Sequence, residues 1–149
     1  LLWLLRHADA AEGAPDEARP LTDRGVRQAR AAGLALARLD VKLDVCLSSP
    51  KRRALETAQL ACEPLGLAVT ECPELAGGPF DPEYLTAGYS DALLVGHDPS
   101  ITLAVHDLTG THARLPKGGL AGISKRELIV LMRPKELSAL AAPAREAAL

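Results

Sequence analysis

The feature that most constrains this chain is how its apolar runs end. Residues 1–5 are apolar and break at once into Arg6-His7-Ala8-Asp9. Residues 43–47 form a second short run, which breaks into Ser48-Ser49-Pro50-Lys51-Arg52-Arg53. Residues 92–95 form another, closed by Gly96-His97-Asp98-Pro99. Runs of this length bounded by polar and turn residues read as buried strands. Between them the apolar residues recur at helical spacing, as in Val26, Ala29, Ala32, Gly33, Leu36 and Ala37. Strands alternating with helices imply βαβ units, hence a mostly parallel sheet covered on both faces. The expected fold class is α/β, a three-layer α/β/α sandwich with an antiparallel edge. In open sheets of this kind ligands bind beyond the carboxyl ends of the strands. Arg6, His7, Arg53 and His97 are therefore expected along one rim.

The remaining elements follow from local chemistry. Residues 11–20 carry two prolines and a glycine and read as a polar loop. Thr22 is the expected N-cap of a helix running to about Leu39. A second helix carries Ala54, Leu55, Ala58, Ala61 and Cys62 and stops near residues 64–66. Residues 67–70 are a further strand, 73–82 a loop, and Asp81 or Pro82 opens a short helix through Leu85. Ile101, Leu103, Ala104, Val105 and Leu108 mark a helix that Gly110 can stop. Residues 116–124 and 127–132 read as two edge strands joined by a Ser124-Lys125-Arg126 turn. Residues 135–149 are Ala-rich and read as a terminal helix interrupted near Pro143. With 149 residues, no repeat and no low-complexity linker, residues 1–149 are expected to form one domain.

Composition narrows the function classes. The net charge is −2 and aromatics are 3%, which leaves neither a global basic field nor stacking platforms for nucleic acid. No apolar run approaches the ~18 residues of a membrane span. Three cysteines, Cys46, Cys62 and Cys72, have no C-x-x-C spacing, against a disulfide framework or zinc knuckle. The apolar start is too short for a signal peptide, so a cytoplasmic location is expected.

Two arginines and two histidines gathered on one rim make a site for a dianion, with phosphate the obvious one. Donors and cations aimed at its oxygens stabilise a phosphoryl-transfer transition state. Four segments in chain order then resemble the histidine phosphatase superfamily, the phosphoglycerate mutase-like fold. They are Arg6-His7-Ala8, where the family has Arg-His-Gly; residues 21–29, Leu-Thr-Asp-Arg-Gly-Val-Arg-Gln-Ala; residues 48–58, which place Arg53 at the motif arginine; and Gly96-His97. The resemblance implies that His7 is the nucleophile that becomes a phosphohistidine. It implies that Arg6, Arg53 and His97 hold the transferring group, and that no metal or organic cofactor is needed. Ala8 departs from the usual glycine, which is tolerable where the backbone does not need positive φ. For the general acid the family pattern points to Glu74, with Asp9 and Asp81 as rivals.

Only some twenty residues separate the third strand from the Gly-His strand, too few for a lid. Compact members with this layout resemble the SixA-type phosphohistidine phosphatases. The expected partner is a phosphorylated protein carrying phosphohistidine, or a small phosphate ester. A small-molecule phosphomonoesterase and a non-catalytic phosphate-binding module are the alternatives. A metal-dependent hydrolase built on His97-Asp98 and His106-Asp107 conflicts with the strand content, since such families are helical bundles. Arg52, Arg19, Lys117, His106 and His112 are expected at the surface.

Overall fold

The computed structural model describes residues 1–143. Six strands form one sheet: β1 (Leu2–Arg6), β2 (Val45–Ser48), β3 (Val69–Glu71), β4 (Ala92–Gly96), β5 (Leu120–Ser124) and β6 (Glu127–Met132). Their spatial order is β3-β2-β4-β1-β5-β6. The first four are mutually parallel, while β5 runs antiparallel to β1 and β6 antiparallel to β5. The helices are α1 (Asp23–Arg38), α2 (Arg52–Cys62), α3 (Pro82–Leu85), α4 (Ser100–Thr109) and α5 (Pro134–Ala141). This is the α/β sandwich expected, with the antiparallel edge where the sequence put it.

Alternation along the central strands divides the core in two. Trp3, Leu5, Leu93 and Val95 point to one face and pack with Leu36, Ala58, Ala61 and Leu137 of α1, α2 and α5. Leu4 and Leu94 point to the other and meet Ile101, Ala104 and Val105 of α4. β4, and β1 up to Arg6, carry no polar side chain because both of their faces are covered.

Several expected boundaries move, among them that of the strand expected over residues 67–70, which runs Val69–Glu71. The strand expected over residues 116–124 begins only at Leu120, because Gly118 adopts φ +77° and its N–H donates to the carbonyls of Arg6 and His7. Those bonds turn the chain across the end of β1 before β5 starts. The terminal helix ends at Ala141, and the stretch expected to continue it over residues 144–149 lies outside the described residues. Among the described residues no helix is long and apolar enough to cross a membrane.

Candidate active site

Strand register builds the site. Arg6 pairs with Gly96 across β1 and β4, Ser48 with Val95 across β2 and β4, and Ser48 with Glu71 across β2 and β3. The next residue on three of these strands, His7, Ser49 and His97, therefore emerges on the same rim. The ladder continues one step further: His7 N–H donates to the Gly96 carbonyl at 2.9 Å and Ser49 N–H to that of Val95 at 3.0 Å.

His7 and His97 stand with ring centroids 5.2 Å apart and their planes tilted by 53°. Both are buried. His7 Nδ1 lies 2.8 Å from the Ala8 carbonyl oxygen. A carbonyl only accepts, so Nδ1 carries the proton and Nε2 keeps a free lone pair. Burial pushes the His7 imidazole down to about 4; the Ala8 hydrogen bond opposes this, and the cations of Arg53, Arg6 and Lys117 reinforce it. His97 falls to about 3, chiefly by burial, then through His7, Arg53 and Lys51, with Asp16 acting the other way. Both rings are neutral at pH 7.

His97 Nε2 is 2.8 Å from Ser49 Oγ, which also accepts the Lys51 N–H at 3.2 Å. The Ser49 hydroxyl proton has no other acceptor among the described residues, so it goes to His97 Nε2. Nδ1 of His97 is then an N–H donor, and it is buried without a partner. Arg6 Nε and Arg53 Nε are also buried without partners. A buried unpaired donor costs about 1–3 kcal/mol. Three of the four such side-chain atoms in the described residues belong to this rim; the fourth is the Trp3 indole.

Each guanidinium is anchored through a terminal nitrogen. Arg6 Nη1 donates to the Leu115 carbonyl at 2.9 Å and lies 4.0 Å from Asp98. Arg53 Nη1 donates to the Asp16 carbonyl at 2.9 Å and Nη2 to its carboxylate at 3.2 Å. Thr57 joins α2 to β1, donating to the Arg53 carbonyl and accepting the Ala8 N–H. Arg52 turns outward instead and faces Glu56 at 3.4 Å. Ala8 keeps negative φ, and its methyl group packs against Leu21 and Ala29.

Glu74 is not drawn into this cluster. It is exposed in a turn after the edge strand β3, and its carboxylate accepts a bond from Cys72 Sγ at 3.0 Å. That bond holds Glu74 below the usual carboxylate range, the opposite of what a proton donor at neutral pH requires. Asp81 caps α3 through the N–H groups of Glu83 and Tyr84. Asp9 accepts from Thr22 Oγ1 at 2.7 Å and faces Lys117 at 3.9 Å. His106 and His112 are exposed, as expected.

Three further neighbours complete the surroundings, and of these only Asp16 left no signal in the sequence: Asp16, Gln28 and Lys117. Asp16 sits in the polar loop and orients Arg53 from 37 residues away, a distance no local pattern encodes. Gln28 accepts the Asp9 N–H at 2.9 Å; its place inside the second motif was the available signal. Lys117 is half-exposed yet near enough to lower His7.

Known proteins share this sequence pattern and fold. An uncharacterised protein of Picosynechococcus sp. is 30% identical, the match covering 91% of this chain and 98% of that one. The SixA protein of Agrobacterium tumefaciens superposes with a TM-score of 0.79 at 26% identity, over 89% of this chain and 97% of its own. A protein histidine phosphatase SixA complexed with tungstate gives 0.79 and 26%, over 91% and 98%. The sequence model of the histidine phosphatase superfamily, branch 1, matches residues 2–78, which include Arg6, His7 and Arg53. The chain therefore belongs to the histidine phosphatase superfamily and is a phosphatase of SixA-like structure.

Proposed function

We propose that this phosphatase removes the phosphoryl group from phosphohistidine on a protein, through a covalent phosphohistidine at His7 and without a metal or organic cofactor. The observation that carries the reading is the set of unpaired buried donors, Arg6 Nε, Arg53 Nε and His97 Nδ1, beside a histidine with a free Nε2. Three N–H groups without a protein acceptor are satisfied when phosphoryl oxygens enter the site. The lone pair of His7 Nε2 attacks phosphorus, and the bond from phosphorus to the substrate nitrogen breaks. That nitrogen leaves with the bonding pair, as a neutral imidazole, because the other ring nitrogen keeps its proton. Water then attacks phosphorus on His7, the His7 nitrogen–phosphorus bond breaks, and the water proton passes to the phosphate and solvent. Arg6 and Arg53 offset the charge on the equatorial oxygens throughout.

The leaving group favours phosphohistidine over a sugar or glycerate ester. An alkyl ester leaves as a poor alkoxide and gains typically ~10²–10⁴-fold from a positioned acid. Glu74, the acid expected from the family pattern, is exposed and held ionised by Cys72. Imidazole needs no such donor. The SixA likeness supports the same substrate class.

Two measurements test the reading. After brief incubation with substrate and acid-free quenching, mass spectrometry is expected to find phosphate on the peptide that holds His7. His7→Ala is expected to abolish turnover, and an intact rate in that variant overturns the mechanism. A panel of phosphohistidine protein, sugar phosphates and phosphoglycerates tests the substrate; preference for the esters overturns that part.

A further inference from the structure

Beside the His7 loop lies a groove of about 460 Å³ lined by Asp9, Arg24, Gln28, Lys117, Arg133 and Lys135, with Pro116 and Pro134. Four of these side chains are cations in a chain whose net charge is −2, so the excess is local. Arg133 is committed to Glu136 at 2.8 Å, and Lys117 faces Asp9 at 3.9 Å. Arg24 and Lys135 are exposed and meet no carboxylate within 4.0 Å among the described residues. The groove shares its wall with the site. Gln28 holds the Asp9 backbone two residues past His7, Gly118 donates to the His7 carbonyl at 3.0 Å, and Lys117 contributes to depressing the His7 imidazole.

We propose that the groove docks an acidic segment of the protein that carries the phosphohistidine, so that Arg24 and Lys135 select substrates by the Asp and Glu residues flanking the modified histidine. This rests on the phosphohistidine reading above and adds a specificity determinant to it. Complementary charge of this kind raises encounter rate and suppresses wrong partners more than it strengthens contact. The effect therefore belongs in kcat/KM at low salt and fades as screening shortens to ~3 Å near 1 M salt. A polypeptide fits better than a small ester because the groove adjoins the phosphoryl site rather than forming part of it.

The test uses two phosphohistidine peptides of equal length, one with Glu and Asp around the modified residue and one with Gln and Ser, together with an aryl phosphate as a control. The acidic peptide is expected to be hydrolysed roughly tenfold faster in kcat/KM at low salt. That preference is expected to vanish at high salt and in the doubly substituted R24E/K135E enzyme. Aryl phosphate turnover is expected to be unchanged in the variant, which shows that it folds and that the phosphoryl site is intact. Equal rates for the two peptides, or a preference that survives charge reversal, overturn the groove while leaving the phosphohistidine reading standing. Turnover of the aryl phosphate with neither peptide hydrolysed overturns the phosphohistidine reading and the groove together. A single-stranded oligonucleotide that competes with the acidic peptide, and loses that competition in the variant, overturns the choice of a protein partner.

Discussion

At the scale of single residues, the site rests on two neutral imidazoles and two half-anchored guanidiniums. An attacking nitrogen must be unprotonated, and an ordinary histidine is so only above ~6.5. Because His7 is pushed down to about 4 and His97 to about 3, the neutral forms persist below the usual range. Activity on an aryl phosphate is expected to hold through pH 5 and fall toward pH 4; an acid limb centred near 6.5 contradicts this. The same shifts act on stability. The unfolded chain binds these protons near 6.5 while the native site resists them, so stability is full above that pH and declines as it falls toward 4. The pair Arg52 and Arg53 is the sharpest mutational contrast. Arg53→Ala is expected to cost about 2–4 kcal/mol in kcat/KM, typical of one lost electrostatic donor. Arg52→Ala, which removes only a surface pair with Glu56, is expected to lose little. Their difference was legible in the sequence, since residues one apart on a helix point ~100° apart and the family resemblance puts Arg53 at the motif arginine. Asp16, which fixes Arg53, was not, because its contribution comes from loop folding.

At the scale of elements, the second motif proves to be a clamp on the loop that follows His7. Thr22 caps α1 and donates from its own N–H to the Asp9 carbonyl, and Gln28 takes the Asp9 N–H. Gly25 lies between them so close that an added Cβ would meet the Asp9 carbonyl oxygen at 2.0 Å. Gly25→Ala is expected to destabilise by ~1–3 kcal/mol, as overpacking does, and to lower kcat by displacing the His7 loop; thermal unfolding and steady-state kinetics check the two effects. The β5–β6 hairpin offers the opposite case. Lys125 and Arg126 both adopt positive φ, 50° and 60°, where hairpin turns favour Asn and Gly. Lys125→Asn is expected to raise stability by a few tenths to ~1 kcal/mol, measured as a higher Tm with unchanged activity. Strand and helix identities were legible because periodicity is a property of the segment. The start of β5 was not, because it depends on Gly118 bonding across β1.

At the scale of the whole molecule, the site lies on the rim formed by the carboxyl ends of β1, β2 and β4. The structure leaves only residues 72–91 between β3 and β4, and these form two short helical turns with their connections. With no acid engaged, kcat/KM across aryl phosphates is expected to fall steeply as the phenol becomes more basic. A flat profile would mean that some group protonates the leaving oxygen. β4 also occupies the middle of the sheet, between β1 and β2, although it follows both in sequence. Its burial beside Trp3, the one tryptophan, ties the sheet together, so indole fluorescence and far-UV circular dichroism are expected to report one coincident unfolding transition. The insertion also has a consequence for biosynthesis. A nascent chain through residue 91 already carries His7 and Arg53, yet β1 has neither of its sheet neighbours. Until β4, residues 92–96, leaves the ribosome, that apolar strand stays unpaired, and a fragment ending at residue 91 is expected to need chaperone protection and to bind no phosphate.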